Sequence, residues 1–391
     1  MKVRYLEEQI TPECLSKNSL NIDLDGHNVN IQEIQRIASA LQKCLNLKML
    51  RLNLDNNLIR EEGAFFLGQG LSSCTNLQML MIGLRFNKIG PQGILNLGLT
   101  QTVCQNLNKL VLDLIDNNLG DQGLQNICPI LESCSNLKVL KLQLGQNKIK
   151  NKGIIELASC LTKCTQLKEL NILFPDNQIN IGSEELPHLC NSISQWKQIQ
   201  NLTLGFSQFQ NICFSDLGST LACCIQLQDL NIILGKKNVL PQDIHAFLSQ
   251  LQKSNSISKF IFDLDNSQSD RLHELDLHSL FDGFKKLTFL TLFLSQNKLG
   301  AEGISKIVSS LANCQNLITL KIDLSSYGLK KIKAQNIISA LVKFSDLQAL
   351  VLYGGLGITI SQMNRLLKLK KLTNVVFFTN SYFPSHFREY F

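Results

Sequence analysis

The sequence predicts an α/β solenoid, in which short parallel strands alternate with helices, and two observations support this fold class. First, one pattern of cysteine, leucine, asparagine and glycine returns every thirty residues, as between Cys44 and Cys74. Second, within each copy the spacing of the apolar residues changes from two to three and four. Alternation is typical of a strand with one buried face, and the wider spacing is typical of a helix.

The strand of each copy follows its opening cysteine. Leu50, Leu52 and Leu54 alternate with other residues, so the pattern predicts that they point into the core. The same alternation predicts that Arg51 and Asn53 point to the opposite face. Equivalent residues in the other copies form two outward columns.

A turn and a helix complete the copy. An asparagine recurs after the strand, at Asn57, Asn87, Asn117, Asn147, Asn177 and Asn297. Its amide group both donates and accepts, so we expect stacked copies to satisfy turn backbone groups that would otherwise be buried without partners. A glycine such as Gly63 then allows a tight turn or a close approach of the neighbouring coil, and Leu67 and Leu71 follow at helical spacing.

A strand, a turn and a helix in thirty residues cannot bury an apolar face alone, so the copies must stack. The expected product is a curved solenoid, or horseshoe, with a parallel sheet on the concave face and helices on the convex face. The repeat resembles the leucine-rich repeat family, and within it the ribonuclease-inhibitor-like subgroup. The resemblance covers residues 14–377. The third alternating leucine, Leu54, lengthens the strand beyond the family pattern. In this respect the repeats resemble those of protist repeat proteins.

The repeats define the domain organisation. We predict an N-terminal cap at 1–13, a solenoid of about twelve units at 14–377, and an aromatic C-terminal cap at 378–391. The tail's alternative role is docking into another chain. The pattern is irregular at 175–284, which indicates either tolerated drift or a partner site or change of curvature built into this part of the chain.

Composition places the chain among folded proteins that do not cross a membrane. It has 44% hydrophobic and 18% charged residues, and no apolar run is long enough to cross a membrane. Charged residues near the start, among them Arg4 and Glu7, interrupt what a secretory signal would need, so we expect a cytoplasmic protein.

The thirteen cysteines are interpreted as core residues. Eight occupy the opening position of the repeat, which Trp196 and Phe344 also fill, so the position requires apolar volume. This favours free thiols in a reducing compartment over disulfides or a metal site. We predict no metal and no cofactor.

No set of residues suggests catalysis. The six histidines lie in different units, and neither a serine elbow nor an H-E-x-x-H motif is present. We therefore predict that the chain is not an enzyme and takes no small-molecule substrate.

The outward columns are the predicted partner-binding surface. Apolar residues in the C-terminal half of these columns would be costly to leave in water, and interface cores favour such residues. The predicted site residues are Arg51, Asn53, Asp113, Lys141, Ile233, Ile261, Asp263, Phe293, Lys321, Asp323, Val351 and Tyr353.

The predicted function is a protein-protein interaction scaffold or adaptor, a subunit of a larger cytoplasmic, ciliary or cytoskeletal assembly. One alternative is a regulator or inhibitor of an enzyme such as a small GTPase, which rests on analogy with ribonuclease-inhibitor-like relatives. The second is a nucleic-acid-associated subunit, suggested by lysine clusters in a chain of net charge +7. Nucleic acid ranks below a protein partner, because basic stripes with interleaved aromatics are not evident.

Overall fold

The computed structural model describes most of the repeats. The described residues are 17–99, 101–179, 181–206, 214–234, 240–265, 281, 283–295, 301–311, 314, 316–325, 334–354, 360–369 and 371–378. The predicted N-terminal cap and residues 379–391 of the predicted C-terminal cap lie outside this set. So do the residues that occupy the turn-asparagine position after Asn177, namely Phe209, Lys237, Ser267, Asn297 and Tyr327.

The chain divides into two compact units. The first unit comprises Met1–Asn180 and Asn191–Ile199, and the second comprises Ile181–Cys190 and Gln200–Phe391. The division falls within the segment whose repeat pattern is irregular.

Each unit contains a run of short strands. In the first unit these are β1 (Ser19–Asp23), β2 (Met49–Asn53), β3 (Met79–Gly83), β4 (Lys109–Asp113), β5 (Val139–Gln143) and β6 (Glu169–Leu173). In the second they are β7 (Asn201–Phe206), β8 (Asp229–Leu234), β9 (Lys259–Asp263), β10 (Phe289–Phe293), β11 (Thr319–Asp323), β12 (Ala349–Tyr353) and β13 (Asn374–Phe378).

Helices alternate with the strands. They are α1 (Ile31–Leu41), α2 (Arg60–Leu71), α3 (Gly90–Asn96), α4 (Gln101–Cys104), α5 (Gly120–Ser133), α6 (Asn151–Leu161), α7 (Leu186–Gln195), α8 (Ser215–Ala222), α9 (Pro241–Leu251), α10 (Ala301–Leu311), α11 (Ala334–Leu341) and α12 (Ile360–Leu366).

Within each unit, consecutive strands pair in parallel and in chain order. In the first unit Leu50 lies opposite Leu80, and Leu80 lies opposite Leu110. In the second unit Phe260 lies opposite Leu290 in the same way. The repeat length therefore fixes the register, and the predicted α/β class with a parallel sheet and alternating helices is confirmed.

The core follows from the alternation along each strand. Leu50, Leu52 and Leu54 are fully buried, as are Leu67 and Leu71 of α2. Strand leucines and helix leucines therefore bury each other's apolar faces. The pairing continues past the last residue of β2, because the Leu54 amide donates to the Gly83 carbonyl at 2.9 Å.

The recurring asparagine forms a hydrogen-bonded ladder in the first unit. The Oδ1 atom of Asn117 accepts from the amides of Asn87 at 3.2 Å and Ile89 at 3.1 Å. Its Nδ2 atom donates to the carbonyls of Leu84 at 2.7 Å and Ile115 at 3.1 Å. The predicted role, satisfying buried turn backbone, is confirmed here.

The repeat glycine allows a close approach. A Cβ on Gly153 would lie 2.6 Å from Oδ1 and 3.1 Å from Cα of Asp121, in the preceding repeat. A side chain at this position would therefore push neighbouring repeats apart.

The opening cysteines are core residues. Cys74 and Cys164 are buried, and burial raises the pKa of these thiols to about 12 and about 11. Other opening thiols donate to backbone carbonyls, as Cys44 does to Ala40 at 3.3 Å and Cys314 to Phe281 at 3.4 Å. The predicted packing role is confirmed for these cysteines, whereas the reducing compartment stays a prediction.

The second unit contains a string of phenylalanines in its core. The Phe260 ring stacks on Phe262 at 5.4 Å between centroids and on Phe284 at 6.1 Å. Phe262 also stacks on Phe247 of α9 at 5.7 Å. Phe260 and Phe262 occupy strand positions that hold leucine in β2, so aromatic volume replaces aliphatic volume in this part of the core.

Candidate functional site: the open strand face

The first, third and fifth residues of the strands point away from the leucine core, and we call the surface that they form in each unit the open strand face. In β2 these positions alternate with the fully buried Leu50 and Leu52, and Arg51 is exposed. The alternation places every predicted site residue on this face, divided between the two units. Arg51, Asn53, Asp113 and Lys141 lie in the first unit, and Ile233, Ile261, Asp263, Phe293, Lys321, Asp323, Val351 and Tyr353 lie in the second.

In the first unit the carboxyl ends of the strands carry a polar network. Arg85 Nε donates to Asp113 Oδ2 at 2.5 Å and lies 3.8 Å from Asp55 Oδ2. The Arg85 amide also donates to Asp55 Oδ1 at 2.8 Å. Asn53 extends the network, because its Nδ2 donates to Asp23 Oδ1 at 3.0 Å. The predicted residues Asn53 and Asp113 are therefore held by neighbours on the same face.

Asp55 is the perturbed titrating group of this network. Burial raises its pKa to about 6, and the charges of Asp113 and Asp25 act in the same direction. The hydrogen bond from the Arg85 amide and the charge of the Arg85 side chain oppose this shift. The carboxyl of Asp55 therefore changes its charge just below neutral pH.

In the second unit the open strand face is more covered than the sequence predicts. Ile233, Val351 and Tyr353 are partly exposed, as expected. Phe293 and Ile261 are buried, with exposed fractions of 9% and 6%, so the expectation that they meet solvent is wrong. Strands ~4.8 Å apart bring large neighbouring side chains into contact, and such side chains cover one another.

The two predicted acids of the second unit support the backbone. Oδ1 of Asp263 accepts from the Asp265 amide at 2.9 Å, and Oδ1 of Asp323 accepts from the Ser325 amide at 2.9 Å. Both residues are buried, contrary to the predicted exposed column. Each of these carboxylates forms an Asx turn at the end of its strand. Asn53 forms the same turn in the first unit, because its Oδ1 accepts from the Asp55 amide at 3.1 Å.

Two lysines flank an aromatic ring on the same face. Nζ of Lys259 lies 5.1 Å and Nζ of Lys321 lies 5.3 Å from the centroid of the Phe289 ring. Burial lowers the pKa of Lys321, and the charge of Lys259 adds to this effect. Because cations are attracted to the ring face, the ring orders two like charges that would otherwise move apart.

A family model described as "Leucine Rich repeat" matches residues 104–128 and 135–158. These stretches are leucine-rich repeats. They contain strand positions and ladder asparagines that recur in the other copies.

Two further comparisons concern whole proteins. A solved structure of a leucine-rich repeat protein of Leptospira interrogans is 15% identical, with 95% of this chain and 97% of that chain covered and a TM-score of 0.37. No curated protein matches the sequence. The ribonuclease-inhibitor-like subgroup stays a prediction.

The first column of the open strand face was not among the predicted site residues. Met49, Met79, Lys109, Val139 and Glu169 lie side by side there in the first unit, and Lys259 and Phe289 lie there in the second. The alternation that identified the third and fifth positions applies equally to the first. The signal was therefore present in the sequence.

Among the described residues, no group of three or more His, Cys, Asp or Glu side chains could hold a metal ion. His27 lies in a turn, as predicted, with Nδ1 2.8 Å from the Asp25 carbonyl oxygen. In the part of the chain that the structure describes, every helix is too short or too polar to cross a membrane.

Proposed function

We propose that this leucine-rich repeat chain is a non-enzymatic interaction module that binds a protein partner through its open strand face, centred on the second unit. The observation that carries the proposal is the set of apolar side chains that remain partly exposed on that face. Ile233, Val351 and Tyr353 belong to it, and Phe289 joins it from the first column.

Val351 and Tyr353 lie on a strand that is paired on both sides. Val351 lies opposite Lys321 and Val376, and Tyr353 lies opposite Asp323 and Phe378. Burial raises the pKa of Tyr353, and the charge of Asp323 raises it further, so the phenol stays neutral and can donate a hydrogen bond. An aromatic ring with a polar tip on a fixed strand is typical of residues that dominate binding energy.

The buried members of the predicted site have a supporting role in this proposal. Phe293 and Ile261 fill the sheet surface between exposed neighbours, and Asp263 and Asp323 hold the strand ends in place. A partner would contact Ile233, Lys321, Val351 and Tyr353, while the buried residues fix their positions. The predicted residues Arg51, Asn53, Asp113 and Lys141 lie on the separate open strand face of the first unit.

The setting that we propose is a larger cytoplasmic assembly, in which the chain is a scaffold or adaptor subunit. The cysteines of the described residues are free thiols, which supports a reducing compartment. The ciliary or cytoskeletal location stays a prediction.

The test compares two surface variants in a quantitative pull-down from extract of the source cells. Val351→Thr with Tyr353→Ser removes apolar contact from the open strand face and keeps strand-forming side chains. Phe65→Ser is the control, because Phe65 is 46% exposed on α2. Far-UV circular dichroism checks that each variant is folded.

We expect the double variant to reduce capture of the main partner by about tenfold or more, as loss of a central aromatic anchor does. The Phe65→Ser control should capture it as the parent does. Unchanged capture by the folded double variant, or loss of capture with Phe65→Ser alone, would overturn the proposal.

A further inference from the structure

We propose that the open strand face of the first unit binds an acidic segment with apolar side chains, contributed by a protein partner. This inference rests on the proposed function, because it assigns a partner chemistry to the same kind of face. The surface consists of three methionines and two valines with a cationic border, and we call it the methionine patch. Its apolar members are Met49, Met79, Met81, Val111 and Val139.

The apolar side chains are adjacent because of the strand register. Met49 lies opposite Met79, and Met81 lies opposite Val111. Met79 and Met81 are two residues apart on β3, so they share one face. Met49 is 39% exposed, and the other four members are partly exposed.

Methionine has a chemical property that suits this position. A flexible, polarizable thioether adapts to different partner shapes, and methionine-rich surfaces are typical of adaptable binding sites. β-branched and aromatic residues are the better strand formers, so strand propensity does not explain three methionines on the open face. Contiguous apolar side chains bordered by polar ones mark an interaction surface.

The border of the patch is cationic. Lys48, Lys138 and Lys168 are exposed at the amino ends of the strands, and Arg51, Lys109 and Lys141 lie on the strands themselves. The carboxylate of Glu169 lies among these six cations, and its Oε1 is 2.6 Å from Lys141 Nζ. The carboxylates of Asp23, Asp55 and Asp113 lie at the carboxyl ends of the strands, in the network with Asn53 and Arg85.

Charge complementarity therefore selects the occupant. An acidic segment would place carboxylates against the amino-end lysines and apolar side chains on the methionines. A single-stranded nucleic acid would need aromatic platforms for its bases, and the patch offers methionine and valine instead.

The size of the patch sets the length of the segment. From β2 to β6 there are four strand spacings of ~4.8 Å, so the patch is roughly 20 Å wide. An extended chain covers that width with about six residues at ~3.3 Å each.

The test uses labelled peptides of about eight residues and measures fluorescence anisotropy with the full chain. One peptide alternates Glu with Leu, a second alternates Glu with Ser, and a third alternates Lys with Leu. We expect the Glu-Leu peptide to bind about tenfold more tightly than the Glu-Ser peptide, and the Lys-Leu peptide to bind more weakly than both. Binding of the Glu-Leu peptide should weaken as salt rises.

Variants then locate the site. Met79→Thr with Met81→Thr should weaken binding of the Glu-Leu peptide by about tenfold, and Lys48→Gln with Lys109→Gln by about fivefold with a smaller salt dependence. Lys259→Gln is the matched control, since Lys259 occupies the first column in the second unit, and it should leave binding unchanged.

Three outcomes would overturn the inference: equal binding of the Glu-Leu and Glu-Ser peptides, no effect of the Met79 and Met81 variant, or tighter binding of single-stranded DNA through the same residues. The proposed function fails separately, through the Val351 and Tyr353 variant. That variant should leave the peptide bound. If the Glu-Leu peptide does not bind while capture of the partner still depends on Tyr353, only this inference is lost.

Discussion

The two units build the same repeat with different side chains. In the first unit, buried asparagines from Asn57 to Asn177 carry the turn hydrogen bonds, and aliphatic residues fill the strand core. In the second unit, stacked phenylalanines around β9 replace part of that aliphatic core, and the sequence keeps asparagine at only one of the five equivalent positions, Asn297. The strand register is retained in both. The repeat length and the leucine positions therefore specify this fold more strongly than the identity of any turn residue.

The open strand faces differ in the same way. The first unit leaves Met49 and Arg51 accessible and links its acids to Arg85. The second unit covers Phe293 and Ile261 and leaves Val351 and Tyr353 at the surface. Alternation determines which face a side chain occupies, whereas the size of its neighbours determines whether it meets solvent.

The largest expected effect tests the aromatic core of the second unit. Phe262→Ala removes a buried ring that stacks on Phe247 and Phe260, and we expect a loss of about 5 kcal/mol in the free energy of unfolding. Phe262→Leu, which restores the aliphatic type found in the first unit, should cost about 1 kcal/mol. Denaturant unfolding followed by circular dichroism measures both. If Phe262→Leu were stabilising, the stacked rings would not stabilise this part of the core more than leucine does.

The asparagine ladder of the first unit should give the next largest effect. Asn117→Ala leaves two amides and two carbonyls without their buried side-chain partner, and we expect a loss of about 4 kcal/mol. Asn136→Ala is the control, because its side chain makes one exposed hydrogen bond, to the Gln105 carbonyl. Fluorescence of Trp196, which belongs to the first unit, reports the unfolding. Equal losses in the two variants would show that burial of the ladder is unimportant.

Asp55 makes the stability of the first unit depend on pH. Its folded pKa of about 6 lies above the ordinary value of 3.8, so between these values the folded chain holds a proton that the unfolded chain has released. Stability should therefore fall as pH rises from about 4 to about 6, by at most about 3 kcal/mol.

Asp55→Asn keeps an acceptor for the Arg85 amide and should remove this dependence. Unfolding curves at several pH values measure it, with Glu132→Gln, an exposed helix residue, as the charge-matched control. A variant that kept the full dependence of the parent would assign it to another group.

The smallest expected effect is a gain in stability. Phe86 has a φ of 56° and is 43% exposed, whereas Asn56 occupies the same position of the previous repeat with the same φ. The left-handed region is costly for a residue such as phenylalanine and tolerated by asparagine. Phe86→Asn should therefore raise the free energy of unfolding by about 1 kcal/mol, which thermal unfolding can measure. A loss would mean that packing of the ring outweighs the backbone strain.

Much of this architecture is visible in the sequence because it repeats. The alternation of Leu50, Leu52 and Leu54 predicts the buried face, and the spacing of Cys44 and Cys74 predicts the register. A second set of recurring asparagines was not predicted to have a structural role. Asn76, Asn106, Asn136 and Asn316 each donate to a carbonyl in the preceding repeat, and their side chains are exposed. Asparagine is common at exposed positions, so its recurrence there does not by itself indicate a hydrogen bond between repeats.

The exposure of single side chains could not be predicted from periodicity. Phe293 and Tyr353 occupy the same column, yet Phe293 is buried and Tyr353 is partly exposed. Period-two spacing contains no information about the residues that lie beside each one on adjacent strands. The methionine patch was missed for a related reason, since Met49, Met79 and Met81 become neighbours only when two columns on two strands are compared.

Hydroxyl-radical footprinting of the complex with its captured partner, read by mass spectrometry, tests the binding role of the open strand face most directly. The rate of side-chain oxidation at Tyr353, Met49 and Met79 should fall when the partner is bound, because these residues lie on that face. The rate at Phe65, on the outer side of α2, should stay the same. Protection of Phe65 with unchanged oxidation at Tyr353 and Met49 would contradict the account.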